Sequence, residues 1–459
     1  MRHFWPFILL SLWLAACDST TVPSSDAALN AVSATDLPRP NILLIVADDL
    51  GWADLNCYGN PLIKTPHLDE LARKGVQFMQ GYASAPLGSP SRASLHTGLY
   101  PARLGLTNDI AAGEKGLRTG TETLAELVGR AGYKTAQIGK WALGAQPADH
   151  GFAESFAAGA VRQPQSFYHP FFEGEPFPDL LAATQEGDYL PDALTDHALG
   201  LLDKWQNDNW FISLNFYAPH LPIEGRKDQV TAYRQLIDST HWRKFPTVEY
   251  AAMVSVIDEN VGRLMAALKA QGQLDNTLIV FVSDNGGLHV AGPEGQERHT
   301  PPTDNGILRA GKGSLFEGGI RIPFIVHYPA ATKNTQASHI PVIGTDIFPT
   351  VCEVLGRQDY SPSPDGRSLL PLLRGEEVPE RTLYWHFPHE SPQGGTPAAA
   401  ARRGGFKVYA DLRTDSVFYY NLRQLPDESL RMATLPKEVE LLEDLRGWQR
   451  ELGARTRVR

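Results

Sequence analysis

Asn41-Ile42-Leu43-Leu44-Ile45-Val46-Ala47-Asp48-Asp49-Leu50-Gly51 is a short, β-branched, continuously apolar run that stops at two acids. A half-buried strand alternates apolar and polar residues, whereas a run apolar throughout fits a strand covered on both faces, as in a parallel sheet. Two further stretches repeat the pattern. Thr277-Leu278-Ile279-Val280-Phe281-Val282 ends in Ser283-Asp284-Asn285-Gly286-Gly287, and Phe211-Ile212-Ser213-Leu214-Asn215-Phe216 runs into Tyr217-Ala218-Pro219-His220-Leu221-Pro222. Helical segments alternate with them, at Pro66 to Lys74, Thr123 to Ala131 and Val248 to Gln271. This alternation predicts an α/β fold with a large, mostly parallel sheet sandwiched by helices. Ligands of such sheets bind beyond the carboxyl ends of the strands, so Asp48 and Asp284, distant in the chain, can share one site.

The C-terminal part changes character. Asp346 to Gly356 reads as a helix closed by glycine, and short strand-like runs follow at Thr382 to His386, Phe406 to Ala410 and Val417 to Tyr420. A charged amphipathic helix, about Pro436 to Leu452, ends the chain. The expected organisation is a main domain over 40–370 and, over 371–459, a C-terminal subdomain: a small antiparallel sheet plus a helix.

The 459 residues are 42% hydrophobic and 20% charged, with a formal net charge of −10, which describes a globular protein with a sizeable core. Basic residues are scattered rather than clustered, which argues against a nucleic-acid partner. An anionic ligand must therefore be drawn by a local cationic pocket, not by the overall field. Residues 1–16 read as a signal peptide, with Arg2 and His3 before the apolar run Phe4 to Leu14. Leu14-Ala15-Ala16-Cys17 resembles a bacterial lipobox, which implies a lipid anchor on Cys17 and a flexible tether through residue 39. The alternative is a plain signal peptide with an incidental cysteine. A lipoprotein of the bacterial cell envelope facing the periplasm is expected, and Asp18 after the anchor cysteine resembles an inner-membrane retention signal. Cys57 and Cys352 make neither a disulfide framework nor a zinc spacing and read as buried small hydrophobes.

Asp48, Asp49, Asp284 and Asn285 offer hard oxygen donors at two strand ends, a set suited to calcium or magnesium rather than zinc. Taken alone, Asp48-Asp49 could equally cap a helix. The segment Ala85-Pro86-Leu87-Gly88-Ser89-Pro90-Ser91-Arg92-Ala93-Ser94-Leu95-His96-Thr97-Gly98 adds the decisive pattern. It resembles the signature of the sulfatase family of the alkaline phosphatase superfamily, in which a Cys or Ser, a spacer, Pro, a spacer and Arg precede a short helix. The family converts that Cys or Ser to formylglycine, whose hydrated aldehyde is the nucleophile. The resemblance implies one divalent cation, usually calcium, on Asp48, Asp49, Asp284 and Asn285, polarising a sulfate oxygen. It assigns Arg92 to hold the hydrated aldehyde, Lys140 in Gly139-Lys140-Trp141-Ala142-Leu143-Gly144 to bind sulfate, and His220 to the strand-end histidine. Lys312, in Gly311-Lys312-Gly313-Ser314-Leu315-Phe316-Glu317-Gly318-Gly319, corresponds to the lysine near the leaving-group oxygen. The likeness extends through Asp48 to Asn60, Thr65 to Gly75, Pro301 to Pro323 and the tail around Trp385 and Tyr420-Asn421-Leu422, with Gly59, Gly286 and Gly319 as expected turn glycines.

Two departures fall in one place. Counting back from Pro90 and Arg92, the nucleophile's position is Gly88, which has no side-chain carbon to oxidise, so formylglycine cannot form there. Ala142 stands where the family's Gly-Lys-Trp-His-Leu-Gly pattern has the histidine that breaks down the sulfated intermediate. Three explanations compete. A sequencing or cloning change turns a Cys or Ser codon into Gly by one base, but His to Ala needs two. Deliberate inactivation usually alters the nucleophile alone. Natural loss of the standard chemistry takes both changes together and is favoured. The reading that follows is a calcium-dependent site for a sulfated small molecule or glycan with its covalent step disabled. An active sulfuric ester hydrolase using water or Ser89 is the alternative, with His289 and His299 as replacement bases. Phosphoryl or phosphonate ester hydrolysis, as in related members of the superfamily, is a third reading, disfavoured because those relatives need a nucleophile and usually two metals. The loops Ala145 to Pro178, Pro222 to Thr247 and Leu288 to Asn305 are expected to shape the pocket, with Phe152, Tyr168 and Trp242 as candidate stacking residues for a sugar.

Overall fold

The computed structural model describes Met1 and residues 39–457, apart from 111–113, 115, 145, 241–245, 292–300, 334–336, 358–359, 361 and 433–435. The signal peptide, Cys17, Asp18 and the tether through 38 lie outside the described residues, as do His299 and Trp242. The main sheet is built from β1 (Asn41–Ala47), β2 (Val76–Gln77), β4 (Lys134–Gly139), β5 (Glu154–Phe156), β6 (Trp210–Asn215), β7 (Thr277–Ser283) and β9 (Phe324–His327). Their order is β2-β9-β7-β1-β6-β4-β5. β7, β1, β6, β4 and β5 run parallel, while β9 and β2 close one edge antiparallel. This is the expected mostly parallel α/β sheet.

The two-sided burial read from residues 41–47 is borne out residue by residue. Leu43, Ile45 and Ala47 join the core on one face, and Ile42, Leu44 and Val46 join the core on the other. The helix Val248–Ala270 packs against the first face with Pro66–Lys74, α1. On the second face lies α2, Gly88–Thr97, beside the helix Ile347–Val354. A second sheet orders β10 (Val342–Ile343), β3 (Gly81–Tyr82) and β8 (Arg321–Ile322). The C-terminal sheet is the antiparallel meander β11 (Thr382–Phe387), β12 (Ala398–Arg403), β13 (Phe406–Asp411) and β14 (Val417–Asn421), with the helix Pro436–Glu451 packed on β12 and β13. Among the described residues no helix is long and apolar enough to cross a membrane.

Several expectations need correction. The helix of the signature segment begins at Gly88 itself, so Pro90 and Arg92 lie inside it rather than before it. Gly59 is a turn glycine with φ of 99°, but Gly286 and Gly319 are required by crowding. A Cβ on Gly286 would lie 1.8 Å from the Gly318 carbonyl oxygen, and one on Gly319 would lie 2.0 Å from that of Ser314. Cys352 is buried, whereas Cys57 is only partly so.

In the last turn of α2, His96 is buried against Trp141 and Phe152, and its Nδ1 receives no hydrogen bond. Burial, with the positive charge of Arg92 and the nearby His150, pushes its pKa down from 6.5 to about 3. The unfolded chain therefore takes up a proton below 6.5 that the folded chain refuses until about 3. Stability from this residue is complete above pH 6.5 and is lost as pH falls through that window, with a slope of up to about 1.4 kcal/mol per pH unit. In urea titrations between pH 7 and 4, His96→Leu is expected to flatten that slope by about one proton's worth.

Candidate active site

Strand register, not sequence proximity, assembles the site. β1 and β7 pair in parallel with Ala47 opposite Ser283, so Asp48-Asp49 and Asp284-Asn285 leave the sheet side by side. β6 and β4 pair with Gly139 opposite Asn215, which brings Lys140 out at the same end, and the Lys140 N–H donates to the Asn215 carbonyl at 2.9 Å. Asp49 takes a positive φ of 64°, a conformation that aspartate tolerates better than most residues. Its own N–H then donates to Asp284 Oδ1 at 3.1 Å.

The sequence-predicted residues converge. Lys140 Nζ lies 2.5 Å from Asp48 Oδ2, and Lys312 Nζ lies 2.8 Å from Asp49 Oδ1. Arg92 donates through Nε to Asp284 Oδ2 at 3.0 Å and lies 3.6 Å from Asp48 Oδ1. Its other terminal nitrogen donates to Asn215 Oδ1 at 2.8 Å. Three buried carboxylates thus face three buried cations. Asn285 Nδ2 donates to Asp49 Oδ1 at 2.8 Å, which turns Asn285 Oδ1 inward with no donor to meet it. Asp48 Oδ1 is likewise a buried acceptor that receives no hydrogen bond. Burying such oxygens without partners is costly unless something else satisfies them, and a cation does so. Asp48, Asp49 and His220 each offer one ligand atom within 4.8 Å of the others, so this acidic cluster could hold a metal ion.

Electrostatics sharpen the picture. Burial would raise the Asp49 carboxyl, but Lys312, His220 and Lys140 hold it well below the usual range. Burial, reinforced by the charge of Asp48, pushes Asp284 above its ordinary value in spite of Arg92. Burial also tends to discharge Lys312, yet Asp49, Asp48 and Asp109 outweigh that and keep it protonated. His220 is driven down to about 3 by burial and by Lys312. Its neutral ring donates from Nδ1 to the Leu221 carbonyl at 3.0 Å, which leaves an Nε2 lone pair 3.6 Å from Asp49 Oδ2. That nitrogen can ligate or accept a proton; it has none to give.

Gly88 is the first residue of α2, so its place is at the positive end of a ten-residue helix. A Cβ built there would lie 2.8 Å from Asp284 Oδ2 and 3.8 Å from Arg92 Nε. A cavity of 730 Å³ opens over this point, lined by Gly88, Ser89, Lys140, Ala142, His220 and Lys312. Asp109 and Arg162 form an ion pair in its wall, and Asp109 Oδ1 accepts from the Ser89 N–H at 3.1 Å. Sequence reading missed this pair, because an isolated Asp and Arg in separate loops carry no spacing signal. Among the described residues of the three loops expected around the pocket, the lining draws on the first alone, through residues 160–163, and residues 109, 110 and 114 join it; 241–245 and 292–300 of the other two loops lie outside the described residues. Phe152 is a core residue under β6, packed on Phe211, and Tyr168 packs on Tyr189; neither lines the cavity. His289 is partly buried rather than exposed and is also outside the lining.

The sulfatase family model matches residues 40–357. The chain is 32% identical to steryl-sulfatase of Mus musculus, over 82% of this chain and 72% of the relative. It is 30% identical to arylsulfatase A of Homo sapiens, over 81% of this chain and 74% of the relative. Among solved structures, Ps i-CgsB in complex with k-i-k-neocarrahexaose superposes with a TM-score of 0.76 at 28% identity, covering 90% of this chain and 93% of that one. The chain belongs to the sulfatase family.

Proposed function

We propose that this chain recognises a sulfate ester, carried by a glycan, in a calcium-dependent pocket whose formylglycine chemistry has been lost. One observation carries the reading: position 88 is the point from which a side chain would enter the carboxylate and arginine cluster, and glycine stands there. Ala142 lines the same cavity and supplies no base. Asp48, Asp49, Asp284 and Asn285 would hold the cation, and the two buried acceptors without donors support that set. An oxygen-rich donor set favours calcium, which when bound supplies polarisation of a sulfate oxygen. Arg92, Lys140 and Lys312 bring fixed positive charge to the same end of the sheet, complementary to a sulfate group. The glycan assignment is supported by the relative crystallised with an oligosaccharide. Anchoring through Cys17 on the tether, in the cell envelope, belongs to the same proposal and is supported by the N-terminal sequence alone.

A second reading has its own observation. Ser89 Oγ is buried, receives no hydrogen bond and lines the cavity one residue from the expected nucleophile. Incubation of the purified, calcium-loaded chain with 4-nitrophenyl sulfate separates the readings. The expected result is calcium-dependent binding in a calorimeter with no nitrophenol released. Release abolished by Ser89→Ala would make Ser89 the nucleophile. Release that survives Ser89→Ala but falls with His220→Ala would assign the attack to water.

A further inference from the structure

A second cavity, of 910 Å³, opens where the small sheet meets the C-terminal meander, and it shares no lining residue with the one over Gly88. Five arginines line it, Arg321, Arg367, Arg381, Arg402 and Arg423, against a single acid, Glu380. Two of them are already satisfied. Arg381 forks onto the buried carboxylate of Asp346, and Arg321 donates to the Met79 carbonyl at 2.9 Å with Glu317 3.9 Å away. Among the described residues, no carboxylate pairs with Arg367, Arg402 or Arg423.

Arg402 is the unusual member. It is only 2% exposed, yet its guanidinium donates solely to neutral acceptors: the Gly404 carbonyl at 3.1 Å, Tyr82 Oη and Gln80 Oε1. Those bonds use three of its five N–H groups, so two remain. A buried cation is normally paired with an anion, because the field of neutral dipoles alone does not offset its lost hydration. Burial and the like charge of Arg423 push its pKa down to about 9, although the charge of Glu428 opposes them. Arg367 and Arg423 are exposed at the same cavity and can move onto a ligand. Leu369, Leu372, Val378 and Leu422 give the cavity an aliphatic side, while His339 and Ser368 add polar groups to the rest of the lining.

We propose that this cavity is a second anion site, taking a sulfate or phosphate ester whose charged head is held by Arg402 and Arg423 and whose apolar body lies on Leu369, Leu372, Val378 and Leu422. Planar guanidinium forks match a tetrahedral oxyanion, and the aliphatic wall would add nothing for a bare ion. The inference does not rest on the reading of the pocket at Gly88.

The test keeps the two sites apart. The Asp284→Asn chain, in the presence of a calcium chelator, is titrated calorimetrically with 4-nitrophenyl sulfate and, separately, with inorganic sulfate. One binding event with the ester is expected, weakened at least about tenfold by Arg402→Gln and by Arg423→Glu in the same background. Arg423 is exposed, so its variant folds even if the Arg402 variant does not. Equal affinity for inorganic sulfate would support an oxyanion site whose natural ligand is the free ion and overturn the role of the aliphatic wall. No binding of either probe, or affinities within twofold of the parent in the folded arginine variants, would overturn the site.

Discussion

Gly88→Cys combined with Ala142→His, expressed with a formylglycine-generating enzyme, is expected to raise turnover of aryl sulfates at least about 10³-fold over the natural chain. A Cβ at position 88 points at Asp284 Oδ2 from 2.8 Å, with Arg92 Nε 3.8 Å away, so oxygens on that carbon would reach both the carboxylate cluster and the guanidinium. At 2.8 Å the approach is closer than a real Cβ tolerates, so the Asp284 carboxylate has to shift to admit the side chain. Position 142 already holds a side chain at a positive φ of 54°, so histidine adds no new backbone strain there. Gly88→Cys alone is expected to stall, because no base then breaks down the sulfated intermediate. Rapid-mixing kinetics should show a burst of one product per enzyme followed by little turnover. A double variant that carries the aldehyde and remains inert would mean that the scaffold has drifted beyond these two positions.

Asp284→Asn is expected to have the second-largest effect, lowering calcium affinity at least about 100-fold and removing calcium-dependent binding of sulfate esters. Asp284 sits where three functions meet: it accepts from the Asp49 N–H, pairs with Arg92 and faces the position of the missing side chain. Loss of its charge leaves the fully buried Arg92, among the described residues, with Asp48 at 3.6 Å as its remaining carboxylate partner. Breaking a buried pair in this way costs about 3–5 kcal/mol, so the metal-free variant should also melt earlier. Calorimetric calcium titration and thermal unfolding with and without calcium read the two effects separately. Unchanged calcium affinity would remove Asp284 from the ligand set.

The parts of this molecule visible in the sequence are those where one physical demand dominates. β1 and β7 had to be covered on both faces, and no polar residue interrupts Ile42–Ala47 or Leu278–Val282. The acids and amide that follow stand out because a buried strand has no other use for them. β12 was missed because Ala398 to Ala401 carries helix propensity; only its neighbours β11 and β13 and the core against Trp385 make it a strand. β4 was missed because Lys134-Thr135-Ala136-Gln137 is polar in sequence, although all but Lys134 is buried. There the polar groups serve the site: Gln137 and Asn215 lie in the hydrogen-bonded layer under Arg92. The residues on loops were least legible. Asp109 and Arg162 meet only because two loops fold over α2, and Arg402 in Ala401-Arg402-Arg403 looks like a surface charge until β12 buries it.

Release of inorganic sulfate by the natural, calcium-loaded chain, measured by ion chromatography across a panel of aryl and glycan sulfates, decides whether the pocket binds without turning over. Saturable, calcium-dependent binding of at least one ester is expected, with no sulfate released above the buffer blank. Sustained release by the natural chain, lost in Asp284→Asn and therefore arising in this pocket, would contradict it and show that the chemistry survives without a side chain at position 88.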